Sequence, residues 1–339
     1  MFSLFKGTRV FRNAAPAPVF VVSSPRSGST WLKQALNSHS AIHCTENRLF
    51  GPHYDVVLDG PEKQPRLRIT LDAYVNALKK SIAVDQINLN DNDLSFRLSR
   101  DLAHALIKTE HEISGGKLIV DKFTPYVGTA ELAVQNLRAV FPKAKFVHLV
   151  RDGRDVATSG VFHWLNKSLE GTTTDPLVEK RNRFFKDEEG KMAPPKRFFT
   201  ESELTEWAQT WAEPVNVMLA LSKKTSVLTI CYEDMLGDMR RELSRFFRFV
   251  GVNCSSDSIE RCVADSSFEK MSGGRKQGDE QPTAHVRKGV SGDWKNYFTQ
   301  QDAEQFAKLT GSLLNELGYE PDSKWPSNCP TQLNIANAA

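Results

Sequence analysis

The stretch Val19-Phe20-Val21-Val22-Ser23-Ser24-Pro25-Arg26-Ser27-Gly28-Ser29-Thr30-Trp31-Leu32 restricts the fold more than any other part of the chain. Four apolar residues, three of them β-branched, read as a buried strand. Ser23, Ser24 and Pro25 end it, and Gly28 permits a tight turn close to a bound group. From Ser29 onward Trp31, Leu32, Ala35 and Leu36 share one helical face. A strand, a loop of small residues and a helix start aim several backbone N–H groups and the positive end of a helix dipole at one spot, which suits a phosphate or sulfate. Arg26, Ser27, Ser29 and Thr30 add side-chain donors. An ordinary strand-to-helix turn is the plain alternative. The loop lacks the Gly-Lys-Ser/Thr ending of a Walker A motif, and no Lys-Ser/Thr pair is placed to hold magnesium.

Further along, Lys117–Val120, Lys145–Val150 and Ser226–Cys231 read as strands. They deliver Asp121–Pro125, Arg151–Asp155 and Tyr232–Met235 at their ends. Helical spacing marks Leu71–Val84, Leu94–Glu110, Ala130–Val140, a helix from Val156, Leu204–Leu221, Met239–Val250, Ser258–Ala264 and Gln301–Leu317. Strands alternating with helices predict a single α/β domain, a central parallel sheet with helices on both faces and a P-loop-like anion loop. Ligands of such sheets bind beyond the carboxyl ends of the strands. Arg26, Lys122, Arg151, Arg154, Ser29, Thr30, Ser159 and Tyr232 are therefore expected to meet there around a polyanion, with Arg151 and Ser159 gripping one phosphate from two sides. For Arg151–Asp155 a self-paired charge cluster is an equal alternative. The loop Val286–Phe298 adds Arg287, Lys288 and the Gly289 backbone to the same phosphate, with Trp294 as its anchor.

A chain of 339 residues is within reach of one large α/β domain. The boundaries expected are a basic arm over 1–17, the domain over 18–320 and an irregular tail over 321–339. Segment 166–199, charged and proline-bearing, is expected to be a lid or acceptor-site excursion. The net charge of +3 gives no argument for nucleic acid. No run of eighteen apolar residues exists, so no membrane span is expected. Met1–Arg12 lacks a long apolar core, which argues against a secretory signal. Five cysteines, an odd number without Cys-x-x-Cys, fit reduced thiols in a cytoplasm and no metal site. A homodimer is compatible with all of this.

Taken in order, these motifs resemble the sulfotransferases that use 3′-phosphoadenosine 5′-phosphosulfate (PAPS), over about Val19 to Tyr319. Pro25–Trp31 looks like the family's 5′-phosphosulfate loop, Arg151 with Ser159 like its 3′-phosphate pair, and Arg287–Phe298 like the signature loop of the cytosolic branch. Tyr232–Met235 is similar to a strand-end motif whose Tyr lies near the adenine. Ser266–Met271 is similar to the segment supplying a small hydroxyl residue and an adenine-stacking Phe. The resemblance implies that Trp31 and Phe268 flank the adenine, and that Arg26, Ser27, Gly28, Ser29, Thr30, Trp31, Arg151, Ser159, Tyr232, Ser266, Phe268, Arg287, Lys288 and Gly289 bind the cofactor.

Two positions depart from the cytosolic pattern. Arg26 replaces a Lys, and Lys122-Phe123-Thr124-Pro125 lacks the His that normally follows a strand-end Lys. Some relatives use a Glu after the first helix, so Glu46 is expected as the base, with His43 and His53 in reserve and a partner role for Arg48 as the plain alternative. Arg26 and Lys122 would offset charge on the leaving phosphate, without metal. The acceptor expected is a small organic molecule, its pocket shaped by the loop 51–68, the excursion 166–199 and the Trp207/Trp211 helix. Phe162, Trp164, Phe184, Phe185, Phe198 and Phe199 suit an apolar acceptor. Lys180, Arg181, Arg183, Lys186, Lys196 and Arg197 leave an anionic or carbohydrate one open. A kinase-like phosphotransferase and a non-catalytic PAPS or bisphosphate binder are the other readings.

Overall fold

The computed structural model describes residues 15–46, 91–125, 127–165, 175–187, 192–282 and 284–333, with side chains from Arg100 onward in the helix that starts at Asp91. Residues 1–14 of the expected basic arm, Arg48, His53, the loop 51–68, the helix Leu71–Val84 and parts of the 166–199 excursion lie outside the described residues.

Among the described residues five strands form one parallel sheet: β1 (Val19–Val22), β2 (Ile42–Glu46), β3 (Leu118–Phe123), β4 (Lys145–Val150) and β5 (Val227–Cys231). Their order is β2-β3-β1-β4-β5. β1 sits at the centre because its four residues are buried on both faces, as a continuous apolar run requires. Its side chains alternate between two cores. Val19 and Val21 face the α1 (Ser29–Asn37) layer with Leu32, Ala35 and Leu36, joined by Phe246, Phe247 and Ile259 from α8 (Met239–Val250) and α9 (Ser256–Asp265). Phe20 and Val22 face α2 (Asp91–Ile113), α3 (Ala130–Val140) and the end of α6 (Glu201–Ser222) through Ile107, Val134, Leu137 and Met218. A third core beside the sheet packs α4 (Gly153–Leu165), α6 and α11 (Gln300–Thr310) around Phe198, Phe199, Trp211, Tyr297 and Phe298.

Four findings correct the sequence expectations. A strand, β2, stands where none was expected; it sits at the sheet's edge, so only Ile42 and Cys44 mark its inner face. β3 runs to Phe123 and therefore contains Asp121 and Lys122, because β1 and β2 pair with it on both sides. The 166–199 excursion contains a helix, α5 (Pro176–Lys186), capped by Asp175 and started at a proline. The last predicted helix is two, α11 and α12 (Leu313–Glu316), divided at Gly311, and Trp325 of the expected irregular tail is buried. Two short helices, α7 (Tyr232–Gly237) and α10 (Phe268–Ser272), follow β5 and α9 and carry site residues.

Of the residues expected at the acceptor region, Phe162, Phe198, Phe199 and Arg181 are buried, while Trp164, Lys180, Arg183, Lys186 and Lys196 are exposed. Phe162, Phe198 and Phe199 are core residues, as are Trp207 and Trp211. Arg181, buried, donates to Phe198 O and clamps Glu203 with two bonds of 2.7 Å at the capped start of α6.

Candidate active site

The loop after β1 folds into a cradle because its cap is a glycine. Gly28 caps α1 at φ 85°, and having no side chain it leaves the first-turn N–H groups unclaimed by the cap. A Cβ there would stand 2.5 Å from the Tyr232 ring, so the close approach of loop and α7 demands glycine as much as the φ does. Arg26 has φ 66°, the one non-glycine positive φ among the described residues, a strained state that surrounding contacts must hold. They are visible: Arg26 Nε donates to Ser159 Oγ at 3.1 Å and Nη2 to His285 O at 2.9 Å. Ser27 is buried and its hydroxyl meets Ser24 Oγ at 2.8 Å, so its side chain serves the loop and not the cavity.

Arg151 leaves the end of β4 and ties three segments together. It donates to Arg26 O at 3.1 Å and to Val290 O at 3.0 Å, and its guanidinium lies 4.3 Å from the Tyr232 ring centre. Its buried Nε has no partner among the described residues. Burial, followed by the nearby Arg151 and Arg287, pulls the Arg26 pKa down to about 10. Arg26 is still a cation at neutral pH, and it stands beside Arg151 and Arg287, whose charges are partly offset by Asp155 at 3.7 Å and by Glu280 and Asp293. Such an arrangement favours a multivalent anion.

The opposite wall is the loop before the short helical turn Asp293–Asn296. Arg287 and Lys288 both pair with Glu280 and Asp293; the Lys288 distances are 3.2 and 3.1 Å. Asp155 in the first turn of α4 accepts from Gly292 N at 2.7 Å and Trp294 N at 2.9 Å, which fastens this loop to the helix bearing Ser159. On the third side Trp31 Nε1 donates to Ser266 O at 2.8 Å, and the Ser266 hydroxyl is spent on Cys262 O at 2.7 Å. Phe268 packs so close to Gly289 that a Cβ there would be 2.4 Å from its ring.

These walls enclose a cavity of about 680 Å³, lined among others by Arg26, Gly28, Ser29, Thr30, Trp31, Arg151, Ser159, Tyr232, Ser266, Phe268, Arg287, Lys288 and Gly289. Its size is ordinary for a nucleotide-sized ligand. The donors converge from a helix start and from Arg26, Arg151 and Arg287, one with an uncommitted Nε, and the aromatic side chains of Trp31, Tyr232 and Phe268 stand on the same wall system. The residues fit a nucleotide with phosphate groups at two places.

Lys122 and Glu46 stand outside that lining, paired across the β2–β3 register. Lys122 Nζ reaches Glu46 Oε1 at 2.5 Å, and Lys33 Nζ from α1 reaches Oε2 at 3.0 Å. Burial alone would raise the Glu46 pKa, but the bonds and charges of Lys122 and Lys33 outweigh it and hold the carboxyl below its usual range. His43 points to the other face of β2 and meets Glu110 at 3.1 Å, so it does not share Glu46's surroundings. Arg154 is also absent from the cluster, contrary to expectation. It is buried, forked onto Asp152, paired with Glu320 and stacked 3.7 and 4.6 Å from the Trp294 and Trp325 ring centres. A charge so fully compensated at close range is a strut.

Lys33, Asp155, Glu280, Asp293 and His285 were missed as site residues by sequence reasoning. Asp155 and Asp293 carried a signal, since they lie in the Arg151–Asp155 cluster and the Val286–Phe298 loop, and Glu280 pairs only seven and eight residues along the chain, with Arg287 and Lys288; Lys33 and His285 acquire their partners through other segments. Among the described residues no three His, Cys, Asp or Glu side chains stand together as a metal site, and no helix is long and apolar enough to cross a membrane.

The chain is 27% identical over 218 residues to sulfotransferase 2A6 of Mus musculus, covering 61% of this chain and 70% of that protein. It is 25% identical over 225 residues to the 3-beta-hydroxysteroid sulfotransferase of Cavia porcellus, covering 63% and 70%. Among solved structures, a mouse sulfotransferase complexed with PAP aligns over 92% of this chain and 88% of its own at 16% identity and a TM-score of 0.48. The pattern describing the sulfotransferase domain matches residues 16–318, and the chain belongs to the sulfotransferase family.

Proposed function

We propose that this PAPS-dependent sulfotransferase sulfates a hydroxyl or amine of a small organic acceptor by in-line displacement, with Glu46 as the base. The observation that carries the reading is the ion pair of Glu46 with Lys122 and Lys33 at the same carboxyl edge of the sheet as the anion loop. The cofactor supplies the sulfuryl group and a phosphate leaving group. Arg26, Ser29, Thr30 and the first-turn N–H groups of α1 hold its 5′ end; Arg151, Ser159, Arg287 and Lys288 hold its 3′-phosphate; Trp31 and Phe268 flank its base. Glu46 is ionised at neutral pH, and an oxygen released by one lysine accepts the proton of the acceptor. Such proton removal contributes about 10²–10⁴ in rate. Fixed cations beside the leaving oxygen need no reorganisation when charge develops there. All of that charge falls to Arg and Lys side chains, so the reading needs no metal ion. The name of the guinea-pig relative supports a small alcohol as acceptor. It does not favour a kinase-like or non-catalytic role.

The test has two stages. Calorimetric titration with adenosine 3′,5′-bisphosphate, 5′-AMP and ATP-Mg should show tight metal-independent binding that needs the 3′-phosphate and is lost in Arg151→Ala. A screen of small alcohols and amines with labelled PAPS in EDTA should then show transfer that Glu46→Gln reduces about a hundredfold or more. Equal binding of 5′-AMP would overturn the 3′-phosphate assignment, and full activity of Glu46→Gln would remove Glu46 as the base.

A further inference from the structure

We propose that Arg275 is a positioning residue for 3′-phosphate recognition: from outside the cavity it sets the shape of the loop that presents Arg287, Lys288 and Gly289. The inference rests on the functional reading above.

From Gly273 to Val290 the described residues form neither helix nor strand, yet two arms of this loop run side by side. Gly278 N donates to Lys288 O at 2.9 Å, Gln281 N to Arg287 O at 3.2 Å, and Gln277 Nε2 to Gly289 O at 2.8 Å. Three cross-links are few for a segment that must hold two cations still. The Arg275 guanidinium lies between the arms and adds two more, with a third bond back to its own arm. Nη1 donates to Asp279 O at 2.9 Å and to Arg287 O at 2.8 Å, and Nη2 donates to Val286 O. Its Cζ also lies 5.6 Å from the Phe268 ring centre. One planar fork thus joins the base-flanking ring to the two carbonyls on either side of the Arg287 amide.

The consequence is specific. Arg287 and Lys288 have their heads pinned by Glu280 and Asp293, while their backbone is pinned by Arg275. Charge-assisted bonds to carbonyls are about twice as strong as neutral ones, and a guanidinium presents several donors in one rigid plane where a lysine has a single flexible head. Without Arg275 the arm 286–289 keeps its sequence and charge but loses its fixed position. The bonds of the Arg275 guanidinium go to Asp279, Val286 and Arg287 and to no residue of the α1 cradle, which meets this arm one residue away, where Arg26 donates to His285 O.

The experiment compares adenosine 3′,5′-bisphosphate with 5′-AMP on wild type, Arg275→Ala and Arg275→Lys by calorimetry, with the melting temperature recorded for each. In Arg275→Ala the bisphosphate should bind about ten- to a hundredfold more weakly while 5′-AMP, which feels only the change at Phe268 and Arg26, weakens by a clearly smaller factor, so the selectivity for the 3′-phosphate collapses. Arg275→Lys should fall between the two and serves as the decisive variant if the alanine does not fold. An equal loss for both ligands would make Arg275 a structural residue only and overturn the proposal, as would unchanged selectivity in the lysine variant. A wild type that shows no preference for the bisphosphate would instead bring down the functional reading together with this inference.

Discussion

Gly289→Ala tests whether base and 3′-phosphate recognition are one mechanical unit. Gly289 has φ +69°, and a Cβ there would stand 2.4 Å from Cδ2 and Cε2 of Phe268, where an ordinary contact is 3.4–4 Å. The left-handed backbone costs an alanine about 1 kcal/mol. The ring must then retreat by at least 1 Å, judged from the gap between those distances. Phe268 can do so cheaply, because it is half-buried and lies in a five-residue helix. The ring displacement therefore appears in binding more than in stability. Losing one good stacking partner costs about 1 kcal/mol, so with the backbone cost transferred to the loop the total is about 2 kcal/mol. That is about thirtyfold in affinity for adenosine 3′,5′-bisphosphate, read by calorimetry, with a fall in Tm of only a few degrees. In the Phe268→Ala background only the backbone cost remains, so there the substitution should cost about 1 kcal/mol, roughly fivefold, because the ring it displaces is already gone. An affinity within threefold of wild type, or an equal loss in both backgrounds, would refute the geometric reasoning.

Three further outcomes are expected. His148, buried in β4, has its pKa lowered from 6.5 to about 4 by burial; the unfolded chain takes up a proton below 6.5 and the folded one does not until about 4. Stability is therefore complete above pH 6.5 and falls by up to roughly 3 kcal/mol on acidification toward pH 4, a slope that His148→Gln should remove in urea titrations at pH 7, 5 and 4; identical slopes would disprove it. Lys33→Met takes one cation from Glu46, so the acid limb of the kcat–pH profile should move to higher pH while the alkaline side stays put, and an unmoved limb would show that Lys33 does not tune the carboxylate. Asp155→Ala removes the acceptor for Gly292 N and Trp294 N and should weaken bisphosphate binding about tenfold with Arg287 and Lys288 still present; unchanged binding would show that the loop holds its place without α4.

What the chain determined by itself is local. A β-branched apolar run followed by small residues and glycine could form little but a strand, a tight loop and a helix start, and the structure has β1, the Gly28 cap and α1 there. Lys145–Val150 and Met239–Val250 were legible to the residue, since burial pattern and glycine stop are written in adjacent positions. The order of motifs carried the family. Tertiary structure decided what depends on distant partners. β2 has too few apolar residues to announce itself and exists because β3 supplies its hydrogen bonds. Arg151 and Arg154 are three residues apart with the same chemistry; one ends in the cavity and the other between Trp294, Trp325, Asp152 and Glu320. Lys33 meets Glu46 only because α1 crosses the edge of the sheet. A cation's role is set by the nearest carboxylate or ring, and in this chain those neighbours come from distant segments: Glu320 lies 166 residues from Arg154, and Trp325 still farther along.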